Sequence, residues 1–476
     1  MKSVDTTSAG MLPVDVAVIG AGTAGLAAYR AAKAAGARAV IMEGGPYGTT
    51  CARVGCMPSK LLIAAAEAAH AVHRAPRFGV HPGPARIDGA EVMARVRRER
   101  DRFVGFVLAG VESIPPADRI RGHARFVDRN TLQVEGGPTV RARSVVIATG
   151  SRPAVPPLLR GLGDRLVVND DVFDWETLPR SVAVFGPGVI GLELGQALAR
   201  LGVRVVVLGR GGRVGPITDP YVLRAAVKAF GEEMALDPDA HVQRVERVGD
   251  EVLVEFLDPE GRAQHQRFDY VLAATGRTPN VDSLGLEATG IALDAHGVPR
   301  TDPRTTQAGD SPIFVAGDAS NYAPLLHEAA DEGRIAGENA ARFPNVSAGP
   351  RRAKLGIVFT DPQIAIVGPG FAALKSHALA AGEVSFEDQG RSRVMLRNRG
   401  HLRVYADPGT GRFLGAEMAG PDAEHIGHLL AWALQAEMTV SRMLEMPFYH
   451  PVVEEGLRTA LRELDLHVRQ HAQAAA

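Results

Sequence analysis

An α/β chain with two parallel-sheet nucleotide folds, one inserted in the other, is predicted by three features of this 476-residue sequence. A strand–glycine turn–helix pattern opens it, a second copy comes at an offset of 166 residues (Gly20 to Gly186), and two similar strand–glycine segments bracket that second copy. The length exceeds what one core supports, so roughly two to four domains are expected. Composition is that of a globular enzyme: 46% hydrophobic, 22% charged, formal net charge -1. So balanced a charge argues against nucleic acid or an anionic membrane surface as a general partner. No apolar run approaches the ~18 residues of a membrane span. The start, MKSVDTTSAGML, carries one lysine and no apolar h-region, so a short disordered lead-in and a cytoplasmic location are expected.

VDVAVIGAGTAGLAAYRAAKAAG, from Val14, reads as a strand, three glycines (Gly20, Gly22, Gly25) and an alanine-rich helix. The first glycine permits the tight turn, the second lets backbone approach a pyrophosphate, and the third lets helix pack on strand. The helix start offers N–H groups to phosphate, and Glu43, ending the next strand, accepts from ribose hydroxyls. This is the full context of a Rossmann-like dinucleotide fold. SVAVFGPGVIGLELGQALARLG, from Ser181, repeats the pattern with Gly186, Gly188 and Gly191. The same offset carries Glu43 onto Gly209, with Arg210 next and Arg213 nearby. Losing an acid and gaining a guanidinium is what a 2′-phosphate requires, so the second site leans towards NADP(H) over NAD(H). A solvated loop arginine is the alternative at Arg210. VVIATGSRP (Val145–Pro153) and VLAATGRTPN (Val271–Asn280) each read as a buried strand ending in a glycine turn, with a proline that stops further helix. They mark where the chain leaves the first fold and returns to it.

The only two cysteines, Cys51 and Cys56, lie in GTTCARVGCMPSK. Zinc needs more ligands and shorter spacing. In a regular helix five residues rise ~7.5 Å and turn ~140°, too far for a disulfide. A bond between them therefore needs distorted backbone, which Gly48 and Gly55 permit, and a strained exposed disulfide suits redox exchange. Met57-Pro58 reads as a break ahead of a helix from about Lys60 to Ala69. Arg53 and Lys60 supply positive charge to depress a thiol pKa. Two buried, inert thiols are the alternative.

Together these motifs resemble the flavin-dependent pyridine nucleotide–disulfide oxidoreductases, which include dihydrolipoamide dehydrogenase, glutathione reductase and mercuric reductase. The resemblance runs from about Val14 to Arg462. GTTCARVGCMPSK is similar to the family's GGTCxNVGCxPSK. GDASNYAPLLHEAADEG (Gly317–Gly333) is similar to its second flavin motif, FTDPQIAIVG (Phe359–Gly368) to the start of its interface domain, and YHPVVEEGL (Tyr449–Leu457) to its HPTxxE motif. The resemblance implies an FAD-binding domain at 1–153 and 277–350, an NAD(P)-binding domain at 154–276, and an α+β dimerisation domain at 351–476. It implies a homodimer whose active site is shared across the interface. Cys56 would lie against the flavin and Cys51 would meet a small disulfide or dithiol. Lys60 and Glu193 match a pair beside flavin N5, and Asp318 the aspartate that holds the ribityl chain. His450 and Glu455 match the acid–base pair given by the other subunit. Thr50, Thr149, Gly150, Gly276, Arg277 and Gly317 complete the cofactor contacts. Pro451 is a favoured first helix residue, so His450 is expected at a rigid helix entrance.

Thr49 and Arg53 depart from a glycine and an asparagine of the redox motif. Arg53 would favour an anionic acceptor, depress the thiolate further, or pair with a carboxylate. Gly209–Arg210 and Met446–Phe448 depart from dihydrolipoamide dehydrogenases. The leading expectation is electron transfer between NAD(P)H, FAD and the Cys51–Cys56 pair, to or from a small dithiol as in dihydrolipoamide dehydrogenase. An NADPH-dependent reductase of another disulfide, quinone or metal ion, and a low-turnover FAD redox sensor or complex subunit, are the alternatives.

Overall fold

The computed structural model describes residues 11–376 and 378–475. Most of the expected lead-in lies outside these residues, while its Met11 and Leu12 already belong to the first strand. Two compact units divide the chain. One holds the chain up to Pro58 with Arg98–Pro153 and Arg277–Arg351, the other Ser59–Arg97, Ala154–Gly276 and the chain from Arg352.

In the first unit, strand Met11–Ile19 pairs in parallel with Ala39–Glu43 on one side and Thr139–Ile147 on the other. Arg119–Arg121 and Ile313–Val315 extend the parallel sheet at its two ends, and an antiparallel pair, Ala124–Asp128 with Thr131–Val134, joins Thr139–Ile147. The central stretches 16–19, 39–42 and 145–147 are apolar because both faces are covered. Ala17, Ile19, Val145 and Ile147 enter one core, while Val16, Val18, Val146 and Phe314 enter another. Such period-two alternation between two cores is the mark of a buried parallel sheet. Helix Thr23–Ala34 packs closely on helix Leu326–Arg342, because Gly333 and Gly337 rest against the Ala24 and Ala28 carbonyls with no room for a Cβ. Short strands Ser151–Pro153 and Arg277–Pro279 pair antiparallel where the chain leaves and re-enters the unit.

The second unit repeats the parallel arrangement around Ser181–Phe185, flanked by Arg204–Leu208 and Tyr270–Ala273. An antiparallel meander of His241–Val248, Glu251–Leu257 and Ala263–Phe268 belongs to the same unit. Its C-terminal part is α+β. A five-stranded sheet ordered Leu355–Val358, Gln363–Val367, Phe413–Gly420, His401–Ala406, Ala380–Ser385 shares one core with helices Ala423–Gln435 and Glu454–Ala475. Among the described residues, no helix is long and apolar enough to cross a membrane.

Candidate active site

Sterics shape the first glycine turn. Gly20 has φ +101°, where a Cβ would collide with the Ala148 carbonyl, and a Cβ on Gly25 would collide with the Gly20 carbonyl. Gly22 instead faces open space. Its missing side chain leaves room for a ligand, whereas the other two leave room for backbone. The helix after it carries no side-chain cap at Gly22 and no acid in its first turn. Its N–H groups and the positive end of its dipole are therefore unspent.

A cleft of about 1130 Å³ opens there, lined by Gly20, Gly22, Glu43, Thr50, Thr149 and Gly150 among others. That volume exceeds the ~300–1,000 Å³ of a drug-sized site and suits an extended dinucleotide. Glu43 Oε2 accepts the Ala21 N–H at 2.8 Å and Oε1 the Gly45 N–H at 2.7 Å. The carboxylate thus ties strand end to turn and keeps lone pairs for ribose hydroxyls. Thr149 Oγ1 is buried with no partner among the described residues. A buried hydroxyl so orphaned is what a bound ligand satisfies. These residues fit FAD.

The cysteine loop begins at the same wall. Thr49 caps the short helix Thr50–Val54, accepting the Ala52 N–H on its Oγ1 at 3.3 Å. Its φ is +59°, a region where glycine is easier, so the cap hydrogen bond offsets the strain of a threonine there. Gly55 leaves helical geometry at φ -127°, ψ -117°, and a Cβ on it would lie 3.0 Å from the Thr50 carbonyl oxygen and 3.3 Å from Cys51 Cα. The chain is pinched back on the Cys51 turn, and no disulfide joins Cys51 to Cys56 in this structure. Cys51 is half-buried and Cys56 exposed. The break falls at Gly55 and not at Met57-Pro58. Cys56 begins the helix Cys56–Arg74, and Pro58 sits in its first turn, where a proline costs no helical hydrogen bond. Arg53 lines the cleft.

Asp318 sits in the turn Gly317–Ser320. Its Oδ2 accepts from Ser151 Oγ at 2.6 Å, and Ser151 Oγ accepts from Arg277 Nε at 2.7 Å. Sequence reasoning missed Glu332 here. Its carboxylate accepts the Gly317 N–H at 2.8 Å and Ser320 Oγ at 3.2 Å, with Arg351 at 3.2 Å. Burial pushes the Glu332 carboxyl up, against those N–H donors and the Arg351 charge. An acid on the inward face of a helix, inside a segment already singled out, was the available signal.

In the second unit Gly186 (φ +102°) meets the Ala274 carbonyl as Gly20 meets Ala148, and Gly191 lies against Gly186 as Gly25 lies against Gly20. Gly188 has no atom nearer than 4.0 Å to its would-be Cβ. Gly276 has φ +108°. Gly209 is a glycine for a packing reason: a Cβ would strike the Pro238 carbonyl, and Pro187 Cγ at 2.8 Å. Arg210 is exposed, and the Gly211 N–H beside it donates to Asp239 Oδ1 at 2.6 Å. Lys60 Nζ bonds both Glu193 oxygens, at 3.0 and 2.7 Å, and lies 4.5 Å over the Phe359 ring. Glu193 is 4% exposed and also accepts the Phe359 N–H at 3.0 Å, so the buried carboxylate is fully paired.

His450 Nδ1 lies 3.0 Å from Glu455 Oε2, and Arg458 Nη2 3.0 Å from Oε1. Burial raises the Glu455 carboxyl, but His450, the Val452 N–H and Arg458 outweigh it and hold it below the usual range. An ionised carboxylate only accepts, so Nδ1 carries the proton and Nε2 is left to act. His450 is not at a helix entrance. The helix begins at Glu454, with Pro451 in the turn before it, so Glu455 fixes the ring through its side chain.

The comparisons agree with this geometry. Residues 14–333 match the model of the pyridine nucleotide-disulphide oxidoreductases and residues 355–461 that family's dimerisation domain. The chain belongs to this family of flavoprotein oxidoreductases, which work with FAD and a pyridine nucleotide. A mercuric reductase of Shigella flexneri is 32% identical over 98% of this chain and 83% of its own length. A dihydrolipoyl dehydrogenase of Haloferax volcanii is 32% identical over 94% of this chain and 95% of its own. The solved LpdA of Mycobacterium tuberculosis superposes with TM-score 0.80 at 26% identity, over 95% of this chain and 100% of that one.

Proposed function

We propose that the protein reduces a small disulfide with NADPH, or runs the reverse reaction on a dithiol, through Cys51 and Cys56 in a homodimer. The single observation carrying this reading is the pinch at Gly55 between the only two cysteines, directly after Thr49 and Thr50 on the cleft wall. FAD, held by the cleft residues Gly20, Gly22, Glu43 and Thr149, would supply the two-electron chemistry that links a nicotinamide hydride to the cysteine pair. The Cys51 thiolate then attacks the substrate disulfide, one substrate thiol leaves with a proton, and Cys56 displaces the second as the Cys51–Cys56 bond re-forms. The net change is NAD(P)H, a proton and a disulfide to NAD(P)+ and two thiols.

The remaining residues take roles their geometry supports. His450 Nε2 holds and returns the proton of the leaving thiol, its ring fixed by Glu455, for the thiols of the other subunit. Lys60 and Glu193 keep one buried charge pair of set geometry. Asp318, steadied by Ser151 and Arg277, accepts from the ribityl hydroxyls. The FAD domain spans 1–153 and 277–350, the nucleotide domain 154–276 and the dimerisation domain 351–476. NADP(H) is preferred: Arg210 makes no ion pair among the described residues and its guanidinium is open to a 2′-phosphate. The mercuric reductase and the dihydrolipoyl dehydrogenase act on different substrates, and the departures at Thr49, Arg53 and Met446–Phe448 favour a disulfide other than lipoamide.

Turnover with NADPH and NADH against lipoamide, glutathione disulfide, quinones and mercuric ion tests the reading. Cys51→Ser should abolish disulfide reduction and leave flavin reduction by NADPH. Undiminished disulfide turnover by that variant would remove the cysteine pair from the mechanism.

A further inference from the structure

Arg53 stands where the family pattern carries asparagine, and its surroundings assign it a use. Its stem lies over Gly48, which has φ +119°: a Cβ on Gly48 would come within 2.9 Å of Arg53 Cδ and 3.0 Å of Val104 Cγ1. The glycine makes room for the arginine and directs it. The side chain is half-buried and lines the same cleft as Gly20, Gly22, Thr49 and Thr50.

Charge in that cleft is unevenly compensated. Arg125 and Arg152 also line it, but Arg125 pairs with Glu287 at 3.1 Å and Arg152 with Asp282 at 2.6 Å. Glu43 is engaged by two backbone N–H groups. Arg53 makes no side-chain hydrogen bond or ion pair with any described residue; its own N–H donates to the Thr49 carbonyl. A half-buried guanidinium without a carboxylate is costly unless an anion completes it. The first glycine turn supplies only N–H dipoles, and its helix has no basic residue in its first turn. A pyrophosphate there carries two negative charges and gains, from a forked cation of one positive charge, an attraction that the turn lacks.

We propose that Arg53 binds the pyrophosphate of the dinucleotide in the first unit's cleft, a cofactor contact in place of any action on the Cys51 thiol. This deepens the FAD reading above and rests on it.

The test is FAD release from the full-length holoenzyme, followed by the recovery of flavin fluorescence on dilution at low and high salt. Arg53→Asn should release FAD at least about tenfold faster, and Arg53→Lys, which keeps a point charge, by a smaller factor. The gap between wild type and Arg53→Asn should narrow at high salt, as a charge contact requires. ADP, which carries the pyrophosphate without the flavin, should compete for the emptied Arg53→Asn site more weakly by a similar factor. Equal FAD release by wild type and Arg53→Asn overturns the proposal. So does unchanged release with a shifted pH profile of Cys51 alkylation, which would return the charge to the thiol. Because Arg53→Lys keeps the stem packed on Gly48, release by Arg53→Lys equal to wild type at low and high salt, with a lowered melting temperature in Arg53→Asn alone, would show a packing role and also overturn it. Wild-type protein that neither carries nor takes up FAD would sink the underlying reading, a result separate from either variant's behaviour.

Discussion

The two glycine turns make the same steric demands and then part. Gly20 and Gly186 take φ of +101° and +102°, Gly36 and Gly202 +84° and +87°, and each first glycine faces the carbonyl of an alanine before a threonine–glycine turn. Where the second strand ends, the copies diverge. Glu43 ties its own turn to the sheet, whereas Gly209 is pressed against Pro238 and yields the position to backbone. The turn is thus one steric device used twice, and the two copies differ in the residues after the second strand. The missing acid at 209 is not by itself a sign of NADPH, because no side chain fits there. On the reading proposed above, selectivity rests with Arg210.

Substitutions in matched pairs probe how independent the copies are. The largest effect should come from Gly25→Ala and Gly191→Ala, each driving a methyl into a glycine carbonyl at a cost on the order of 3 kcal/mol or more in chemical denaturation. Gly25→Ala should lose FAD and Gly191→Ala retain it; FAD loss from both would mean the copies do not work separately. Gly22→Ala and Gly188→Ala meet no protein atom closer than 4.0 Å, so stability should move by less than ~0.5 kcal/mol. Ligand approach should nonetheless suffer on the order of tenfold, in FAD affinity for the first and in KM for NADPH for the second. A large stability loss in either would contradict the open space. Arg210→Ala should lower the ratio of kcat/KM for NADPH over NADH about fivefold, with Gly209 left in place; a constant ratio makes Arg210 a solvated loop residue. Gly36→Ala and Gly202→Ala would place unobstructed Cβ atoms at left-handed φ. Each should cost ~1 kcal/mol, and unequal costs would end the equivalence.

Much of this was legible because it is local. The glycine spacing announced both turns, Glu43 falls where the motif places it, and Gly55 breaks the helix between the two cysteines. Non-local features were hidden. Pro58 read as the helix breaker, although a proline in a first helical turn is tolerated, and the true break is the glycine before Cys56. Glu332 is an ordinary acid in sequence and a buried clamp on the Asp318 turn in space. His450 read as held by a helix start and is held by a carboxylate.

Sequence alone determined the two nucleotide folds, the glycines that permit them and the candidate cysteine pair, because backbone conformation and strand–helix periodicity are set by neighbours a few residues away. Tertiary structure alone decided that Gly209 is closed by Pro238, that Arg53 faces the cleft, and that Lys60 meets Glu193 across 133 residues of chain. Direction and charge compensation depend on which distant backbone packs alongside, and no spacing along the chain encodes that.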